Sequence, residues 1–414
     1  RLESRENGEL HLQAPSGISV DLGSVRFDSG TMTITAEQGI GVNTSTGVTI
    51  NGGSVTIEAE QNGLWGREMH IGACSLDVKS LNTEEDDRYC AIWCQELSLD
   101  SDGMVLQASM EPDGALGSYA ADSLASYDRI VAAEADVSID GIGLMDRDYL
   151  ATGADAVTNV QPESGGYAYY EDGVLTLNNF EVVSQREIMR TKVDVQIVLM
   201  GSNRLTGSDG VYDYGIVAGE DLTIREEGNG SLEVSSGRTS IWLDNADLAI
   251  ESGSVSLIGE TGVDANAVTI SGGEVVVEAA QHAVRSSGLR VEGGNVDLKA
   301  TGYRSNAVSV WNLYVAPELI IRAAWWVDGE LGEYQQQHLN EYKRIVITEP
   351  APSYIIRFDA NGGYGTMDYV SMEEGTEFTL PECGFTGPSG MQFKAWGVNG
   401  AEMQPGSVIT VTGD

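Results

Sequence analysis

Residues 268–279 read VTISGGEVVVEA, residues 289–300 read LRVEGGNVDLKA, and residues 48–59 read VTINGGSVTIEA. Each stretch is a short alternating apolar strand, a Gly-Gly step and a second alternating strand. Alternation predicts strands with one buried face, and paired glycines mark a tight corner. The first two stretches lie about twenty residues apart. A unit of that length cannot bury its apolar side alone, so the pattern is typical of one coil of a stacked solenoid.

The composition agrees with many tight corners in a folded chain. Glycine accounts for 51 of 414 residues, well above the usual ~7%, and 41% hydrophobic residues are enough for a core. The length suggests two or three units. No run of eighteen apolar residues occurs, so we predict no membrane span. The chain begins at Arg1, and we expect it to be a mature product or a piece of a longer one.

The charge excludes one class of partner. A formal charge of −40, from 63 acidic and 23 basic residues, repels nucleic acid, so we expect no nucleic-acid partner. A solvated acidic surface is the plain explanation of this charge, and capture of Ca²⁺ by carboxylates is the alternative. The candidate calcium ligands are the carboxylates of one acidic insertion: Glu84, Glu85, Asp86 and Asp87. We predict no other cofactor.

The chain has four cysteines, Cys74, Cys90, Cys94 and Cys383. Cys74 and Cys94 lie about one coil apart, so stacked coils would bring their Cα atoms within bridging distance. Cys90–Cys94 is the competing pair, and we expect at most one disulfide. The absence of a C-x-x-C pair and the scarcity of histidine disfavour a structural zinc site.

A whole module is repeated at a larger spacing. Residues 105–119 read VLQASMEPDGALGSY, and residues 320–334, 215 positions later, read IIRAAWWVDGELGEY. The same offset relates YDRIV at 127–131 to YKRIV at 342–346. The sequence therefore contains two copies of a solenoid module rather than one long array.

We predict an all-β chain with two tandem right-handed parallel β-helix modules, at 1–135 and 136–349. The first module is expected to be truncated at its N-terminal end. Each module ends in a segment that breaks the coil pattern, at 113–131 and 328–347. We expect these segments to cap the open core, because uncapped solenoid ends expose strand edges.

The periodicity changes after Pro350-Ala351-Pro352. Residues 354–363 read YIIRFDANGG, followed by Gly365-Thr366-Met367, Leu380-Pro381, Phe385 and FKAW at 393–396. This order resembles the internalin B-repeat, also called the Listeria–Bacteroides repeat. The resemblance covers 353–414 and implies a small β-grasp-like module of a bacterial surface protein. The family pattern runs on to one further strand, so we expect the last strand to be missing here.

The coils also resemble carbohydrate-binding-type β-helix proteins on the surface of Gram-positive gut bacteria. The residues that carry this likeness are VLMGSNRL at 198–205 and DLTI at 221–224. Together the two resemblances imply an extracellular protein at the cell wall or cell surface. They imply a glycan or a host or bacterial surface protein as partner, and we expect a monomer.

Catalysis by this solenoid would need convergent charges. Glycoside hydrolysis requires two carboxylates across one groove, and Asp244, Asp247 and Asp264 are the candidates. Side-chain contacts to the backbone at turns are the ordinary role of such residues. Arg190-Thr191-Lys192 resembles one element of polygalacturonase-like hydrolases without the others. Arg285, Arg290, Lys299 and Arg304 alternate with apolar residues, as on a solvated face. We therefore assign no catalytic residue.

Aromatic rings beside polar groups are the best binding candidates, because they offer flat amphipathic surfaces. The candidate ligand-binding residues are Tyr167, Tyr169, Tyr170, Tyr212 and Tyr214. Packing at a sheet edge is their alternative role. Trp325 and Trp326 precede the second capping segment and are expected to seal the core.

The favoured function is therefore adhesion by binding of a glycan or partner, without catalysis. A polysaccharide-active, lyase-like β-helix enzyme is one alternative, and a purely structural surface stalk is the other. An enzyme should bring carboxylates or basic groups with shifted pKa values together in a groove. A binding module should instead present exposed aromatic rings.

Overall fold

The computed structural model describes residues 8–21, 23–81, 89–99, 104–114, 116–118, 121–208 and 214–412. The chain divides into two compact units, Arg1–Thr348 and Glu349–Asp414. Strands make up 54% of the structure and helices 2%, and the larger unit is a parallel β-solenoid. The predicted all-β solenoid is thus confirmed.

The first module is built from coils of three short strands. In chain order its strands are β1 (Glu9–Ala14), β2 (Ile18–Val20), β3 (Val25–Phe27), β4 (Thr31–Ala36), β5 (Val42–Thr44), β6 (Gly47–Ile50), β7 (Ser54–Ala59), β8 (Leu64–Trp65), β9 (Glu68–Ile71), β10 (Ser75–Ser80), β11 (Ile92–Trp93), β12 (Glu96–Leu99), β13 (Met104–Ser109), β14 (Gly117–Ser118) and β15 (Arg129–Glu134). A 3₁₀ helix lies at Ala121–Ser126. Equivalent strands of successive coils pair in parallel, and these ladders form a first side (β1, β4, β7, β10), a second side (β2, β5, β8, β11) and a third side (β3, β6, β9, β12).

The core forms because each strand turns every second side chain inward. On the first side Ile34, Ile57 and Val78 lie in register and are fully buried. Thr33 and Thr56, on the alternate positions, face outward. Burying one such aliphatic side chain contributes about 1.5–3 kcal/mol, and only a neighbouring coil can supply that burial. Stacking is therefore what makes each coil stable.

The Gly-Gly corner joins the third side of one coil to the first side of the next. Gly53 and Gly273, the second glycines of two such corners, have φ of 78° and 85°. Residues other than glycine rarely adopt this left-handed backbone conformation. A Cβ on Gly273 would also collide with the carbonyl oxygen of Gly253, one coil earlier. Glycine is needed there both for the turn and for the close approach of coils.

The second module begins with antiparallel strands and continues as parallel coils. In chain order its strands are β16 (Val137–Ile139), β17 (Ile142–Leu144), β18 (Asp148–Ala151), β19 (Tyr167–Glu171), β20 (Val174–Asn178), β21 (Glu181–Ser184), β22 (Met189–Thr191), β23 (Val195–Met200), β24 (Ser202–Gly207), β25 (Ile216–Ala218), β26 (Leu222–Glu226), β27 (Ser231–Ser235), β28 (Thr239–Leu243), β29 (Leu248–Ile250), β30 (Ser254–Asp264), β31 (Ala267–Ile270), β32 (Glu274–Val291), β33 (Asn295–Ala300), β34 (Asn306–Val315), β35 (Ile320–Ala324), β36 (Gly332–Glu333) and β37 (Arg344–Thr348). A 3₁₀ helix lies at Gln336–Glu341. β30, β32 and β34 run around corners, so each takes part in more than one side.

Both modules end with the same device. In the first, β15 lies antiparallel between β10 and β13, and in the second, β37 lies antiparallel between β33 and β35. Arg129 of β15 donates to both carboxylate oxygens of Asp77, at 3.0 and 2.7 Å. Arg344 of β37 does the same with Asp297, at 2.9 and 2.8 Å. The inserted strand ends the parallel ladder, and this bidentate ion pair holds it there.

Trp325 and Trp326, which precede the second cap, are both exposed. The Trp325 ring lies 4.7 Å from that of buried Tyr342 and 5.1 Å from that of His338. Trp325 is 48% exposed and Trp326 is 74% exposed, so the prediction that the pair seals the core is wrong. Both residues lie in a bend after β35, where the alternation of inward and outward side chains has ended.

The smaller unit is built from three two-stranded antiparallel sheets. They pair β38 (Ser353–Ile356) with β39 (Val370–Glu373), β40 (Glu377–Thr379) with β43 (Val408–Thr410), and β41 (Trp396–Val398) with β42 (Ala401–Met403). Trp396 is buried, and its ring lies 5.2 Å from those of Phe358 and Phe393. Trp396 is thus the buried centre of an aromatic cluster, on which Phe393, 40% exposed, packs from the surface. Its β-grasp-like topology stays a prediction.

Candidate functional site

The first predicted tyrosine cluster lies on β19, where alternation separates its members. Tyr167 and Tyr169 face outward and are half-buried, while Tyr170 is 3% exposed. The Tyr170 hydroxyl donates to Asp136 at 3.0 Å inside the fold. Burial, followed by this hydrogen bond, raises the pKa of Tyr170. Tyr170 is therefore a core residue, which corrects its assignment as a surface ligand residue.

The two outward tyrosines pack with a third that sequence reasoning missed. Tyr149 of β18 stacks on Tyr169 with ring centroids 4.3 Å apart and meets the edge of Tyr167 at 5.5 Å. The Tyr169 hydroxyl donates to Glu171 at 2.8 Å, and burial ahead of this contact raises the pKa of Tyr169 to about 12. Because the three rings pack on one another and the hydroxyls of Tyr167 and Tyr169 have protein partners, this cluster fits the alternative role, packing at a sheet edge.

Tyr214 belongs to a different surface, which we call the aromatic patch and define as Tyr214, Arg238 and Trp242. The Tyr214 ring lies 5.7 Å from that of Trp242, and the Arg238 guanidinium lies 4.9 Å above the tyrosine ring. All three side chains are half-buried. Among the described residues, the indole N–H of Trp242 has no hydrogen-bond partner. Tyr212, the other predicted member, lies outside the described residues.

In the second module, β25, β28 and the later parts of β30 and β32 pair in parallel and form the second side, which carries the aromatic patch. Trp242 lies between Val217 and Asp264 in the outward row of this ladder. The row continues with Arg285, which forms a short ion pair with Asp264. This side therefore presents an aromatic surface next to a charged one.

The first module carries aromatic residues on its own second side. Trp65 of β8 and Trp93 of β11 are in register, and their rings stack at 5.0 Å with planes 9° apart. Both are half-buried. Sequence reasoning missed this pair. Each tryptophan directly follows a buried aliphatic residue in a two-residue strand, Leu64 before Trp65 and Ile92 before Trp93. This shared pattern is the signal that could have revealed the pair.

The candidate catalytic carboxylates are occupied at corners between coils. Asp221 accepts the backbone N–H of Asp247 at 2.8 Å, and Asp247 accepts that of Ala267 at 3.0 Å. Asp194 accepts the backbone N–H of Asp221 in the same way at 3.1 Å. A ladder of aspartates thus satisfies backbone donors from coil to coil. Such contacts to the backbone at turns are the structural alternative to catalysis, and Asp247 has this structural role.

The candidate basic residues of a lyase are mostly held in ion pairs. Arg290 pairs with Glu292 at 2.6 Å, and Lys299 lies 3.2 Å from Asp297. The hydrogen bond from Arg285 to Asp264 raises the pKa of the Arg285 guanidinium, which keeps it protonated. A proton-abstracting base needs the opposite change in pKa.

The predicted calcium ligands, Glu84 to Asp87, lie outside the described residues. Within the described part of the chain no group of three or more His, Cys, Asp or Glu side chains is arranged to hold a metal. A calcium site therefore stays a prediction.

All four cysteines are free thiols in the structure. Trp93 pairs with Trp65, so the next residue, Cys94, stacks on Gly66 instead of Cys74. Cys74 lies at the corner before β10, on another edge of the coil. The register thus argues against the predicted Cys74–Cys94 disulfide. Burial raises the pKa of Cys74 and Cys94 to about 11 and that of Cys90 to about 12, which makes these thiols unreactive in the native state.

No protein-family model, no curated protein and no solved structure matches the chain. The described residues include no helix that is long and apolar enough to cross a membrane.

Proposed function

We propose that this chain is part of a bacterial cell-surface or secreted protein and that its solenoid binds a glycan without catalysing a reaction. The aromatic patch is the observation that carries this proposal. Trp242 and Tyr214 offer half-exposed rings, and Arg238 and the Trp242 indole N–H offer donors beside them. Sugars need this combination of an apolar ring face and nearby hydrogen-bonding groups.

The proposed location rests on the smaller unit. Its motif, FDANGG at 358–363 and FKAW at 393–396, resembles that of the internalin B-repeat. Phe358 and Phe393 of this motif pack against Trp396, which is buried. This supports the interpretation that the motif is a structural signature of a surface repeat.

Two observations favour binding over catalysis. Asp247 accepts from the side-chain amide of Asn266 and the backbone N–H of Ala267 at a corner, and Arg285, Arg290 and Lys299 pair with carboxylates. A lyase would need one basic group with a lowered pKa facing the substrate.

The test is a glycan-array screen of the full chain with and without Ca²⁺, followed by titration of each hit. Trp242→Ala should weaken binding at least tenfold, since one aromatic ring supplies a large share of such a small interface. Trp326→Ala is the matched control, because it removes an exposed tryptophan outside the patch. Unsaturated oligosaccharides among the products of any hit would establish the lyase instead. Calcium dependence that disappears with Glu85→Gln and Asp86→Asn would assign the metal to the acidic insertion.

A protein partner is the second candidate, because the second module exposes two further tryptophans. Trp311 is 93% exposed and Trp326 is 74% exposed, and exposed tryptophans are frequent energetic centres of protein interfaces. Adhesion to a surface protein that survives removal of its glycans, and is lost in Trp311→Ala but retained in Trp242→Ala, would favour this function.

A further inference from the structure

An ion pair adjoins the aromatic patch on the second side of the second module. Trp242 of β28, Asp264 of β30 and Arg285 of β32 occupy consecutive positions of one outward row. Neighbouring positions of a ladder lie about 4.8 Å apart, so about 10 Å separates Trp242 from Arg285. Trp242 and Asp264 are half-buried and Arg285 is exposed. All three side chains therefore reach solvent, and the ion pair begins where the aromatic surface ends.

Tyr214 connects the ion pair with the aromatic patch. Its ring lies 5.7 Å from that of Trp242. Its hydroxyl lies near Arg285 as well: the hydrogen bond to Asp264 raises the pKa of Arg285, and the Tyr214 oxygen adds to this rise. The rings and the ion pair thus form one surface rather than two separate ones.

The ion pair leaves most of its hydrogen-bonding groups unused. Nη2 of Arg285 donates to Oδ2 of Asp264, and the two side chains are 56% and 17% exposed. Within the described part of the chain, neither side chain has a second hydrogen-bond partner. A guanidinium has five N–H donors, and a carboxylate has about four acceptor positions on its two oxygens. Oδ1 of Asp264 and the remaining N–H groups of Arg285 can therefore bind two adjacent hydroxyls of one ligand.

The charges of this surface disfavour an acidic ligand. The charge of Arg285 is matched by Asp264. Arg238, the other cation nearby, is engaged by the Tyr214 ring and by a further contact. A carboxylate placed beside Asp264 would meet a like charge, which is unfavourable at a binding site, and the formal charge of −40 on the whole chain adds repulsion at longer range. A neutral sugar uses the same donors and acceptors without this cost.

We propose that the Asp264–Arg285 ion pair binds two adjacent hydroxyls of the sugar whose ring packs on Trp242, so that the ligand is a neutral glycan. This inference rests on the proposed glycan-binding function and adds the class of glycan to it. Asp264 sets the selectivity, because it accepts a hydrogen bond from a hydroxyl and repels a carboxylate. Trp242 contributes affinity for the sugar ring whether or not the sugar is charged.

The experiment titrates the full chain with trisaccharides of glucose, galactose, mannose and N-acetylglucosamine. Each neutral trisaccharide is paired with the form in which its primary alcohols are oxidised to carboxylates. Salt at about 0.15 M limits electrostatic effects to a range of about 8 Å, which suppresses the field of remote carboxylates. The wild type should bind the neutral form of at least one pair at least tenfold more tightly than the oxidised form, because like charges brought together in a site cost at least that much.

Asp264→Asn keeps the size of the side chain and removes its charge. It should abolish the preference, in part by tightening the binding of the oxidised form, a gain that misfolding cannot produce. Arg285→Gln should weaken binding of the neutral form, because it removes the donor to one hydroxyl. Glu292→Gln is the matched control, since it removes one carboxylate from another surface ion pair of the module, that with Arg290, and it should preserve the preference. Circular dichroism of each variant checks the fold.

Equal or tighter binding of the oxidised forms by the wild type would overturn the inference, and loss of that binding in Trp242→Ala would leave the proposed function standing. An undiminished preference in Asp264→Asn would also overturn it, because the selectivity would then come from the charge of the whole chain. Loss of neutral binding in Asp264→Asn with full retention in Trp242→Ala would support the ion pair as the sugar site and contradict the aromatic patch. Absence of binding to all probes would overturn both proposals.

Discussion

The two solenoid modules close in the same way and differ in what they present to solvent. Arg129–Asp77 and Arg344–Asp297 occupy corresponding places in the two caps. On the second side, Trp65 takes the position that Arg285 holds in the other module. Trp65 stacks on a tryptophan, whereas Arg285 pairs with Asp264.

This difference separates two kinds of constraint. The ion pair of the cap must hold the antiparallel strand on the last coil of each module, so it recurs with the same geometry. An outward position on the second side contacts only its ladder neighbours, so it can change without disturbing the core. Surfaces that differ between the copies are therefore where distinct binding properties are expected.

Substitutions in the caps should have the largest effect, because they destabilise one module without changing the other. Ile130→Ala and Ile345→Ala each remove a fully buried side chain from the inserted strand, and each should cost about 2–5 kcal/mol of unfolding free energy. Hydrogen exchange of the strands in each module measures the loss separately. Cys74, Cys90 and Cys94 all belong to the first module.

Thiol labelling of these three cysteines should accelerate in Ile130→Ala and remain slow in Ile345→Ala. Equal acceleration in both variants would show that the two modules unfold as one cooperative unit. Cys383, in the smaller unit, serves as the internal reference.

Removal of the arginine from each cap ion pair should lower the free energy of unfolding by unequal amounts. Arg129→Ala leaves Asp77 without its bidentate partner, and we expect a loss of about 1–3 kcal/mol. Arg344→Ala should cost less, because Lys299 lies 3.2 Å from Asp297 and remains in place. Urea denaturation monitored by hydrogen exchange in each cap gives both values. A larger loss in Arg344→Ala would contradict this reading of the contacts.

The outward side-chain pairs on the second sides of the two modules should differ in their coupling free energy. A double-mutant cycle on Trp65 and Trp93 should give about 0.5–1.5 kcal/mol, as for stacked aromatic rings. The corresponding cycle on Asp264 and Arg285 should give about 0.2–1 kcal/mol, because Arg285 is 56% exposed. Only the second value should fall when salt is raised.

The smallest expected effect concerns Asp128, whose counterpart in the other module is Lys343. Burial raises the pKa of Asp128, so the native state binds this proton more tightly than the unfolded chain does. The charged form therefore lowers stability at neutral pH, and this cost disappears as pH falls below the unfolded pKa of about 3.9.

Asp128→Asn should therefore raise the melting temperature slightly at pH 7 and leave it unchanged near pH 3.5. Lys343→Met is the comparison in the second module. It should lower stability at pH 7, because Lys343 donates to Ser305 at 2.8 Å. A stabilising effect of Asp128→Asn at both pH values would point to a cause other than the charge.

The coils could be predicted because their signals are local. Alternation on both sides of a Gly-Gly step, as at 268–279, specifies two strands and the corner between them. The caps were located by the repeat, but their topology was not predictable. β13 and β15 both alternate, and either could extend the ladder from β10. Packing in the folded module decides which strand pairs with β10, and there β15, which is antiparallel, takes that edge and β13 pairs with β15.

The candidate site was predictable only in part. Tyr214 was found because it stands in a tyrosine-rich stretch, whereas its partner Trp242 lies a full coil later in the chain. Which residues share an outward row depends on the length of every coil between them. Tyr170 was misassigned because the inward and outward positions of β19 depend on how this strand pairs with β20.

Between the first and second sides of the first module, four residues separate β7 from β8, and eleven separate β10 from β11. Despite this difference in length, Ile92 still pairs with Leu64. The ladder thus tolerates extra residues at this corner without a shift of register. A peptide epitope or a fluorescent tag inserted directly after Leu81, before the buried ladder residues Cys90 and Ala91, should leave the hydrophobic interior of the solenoid intact, so the scaffold has a ready position for engineering.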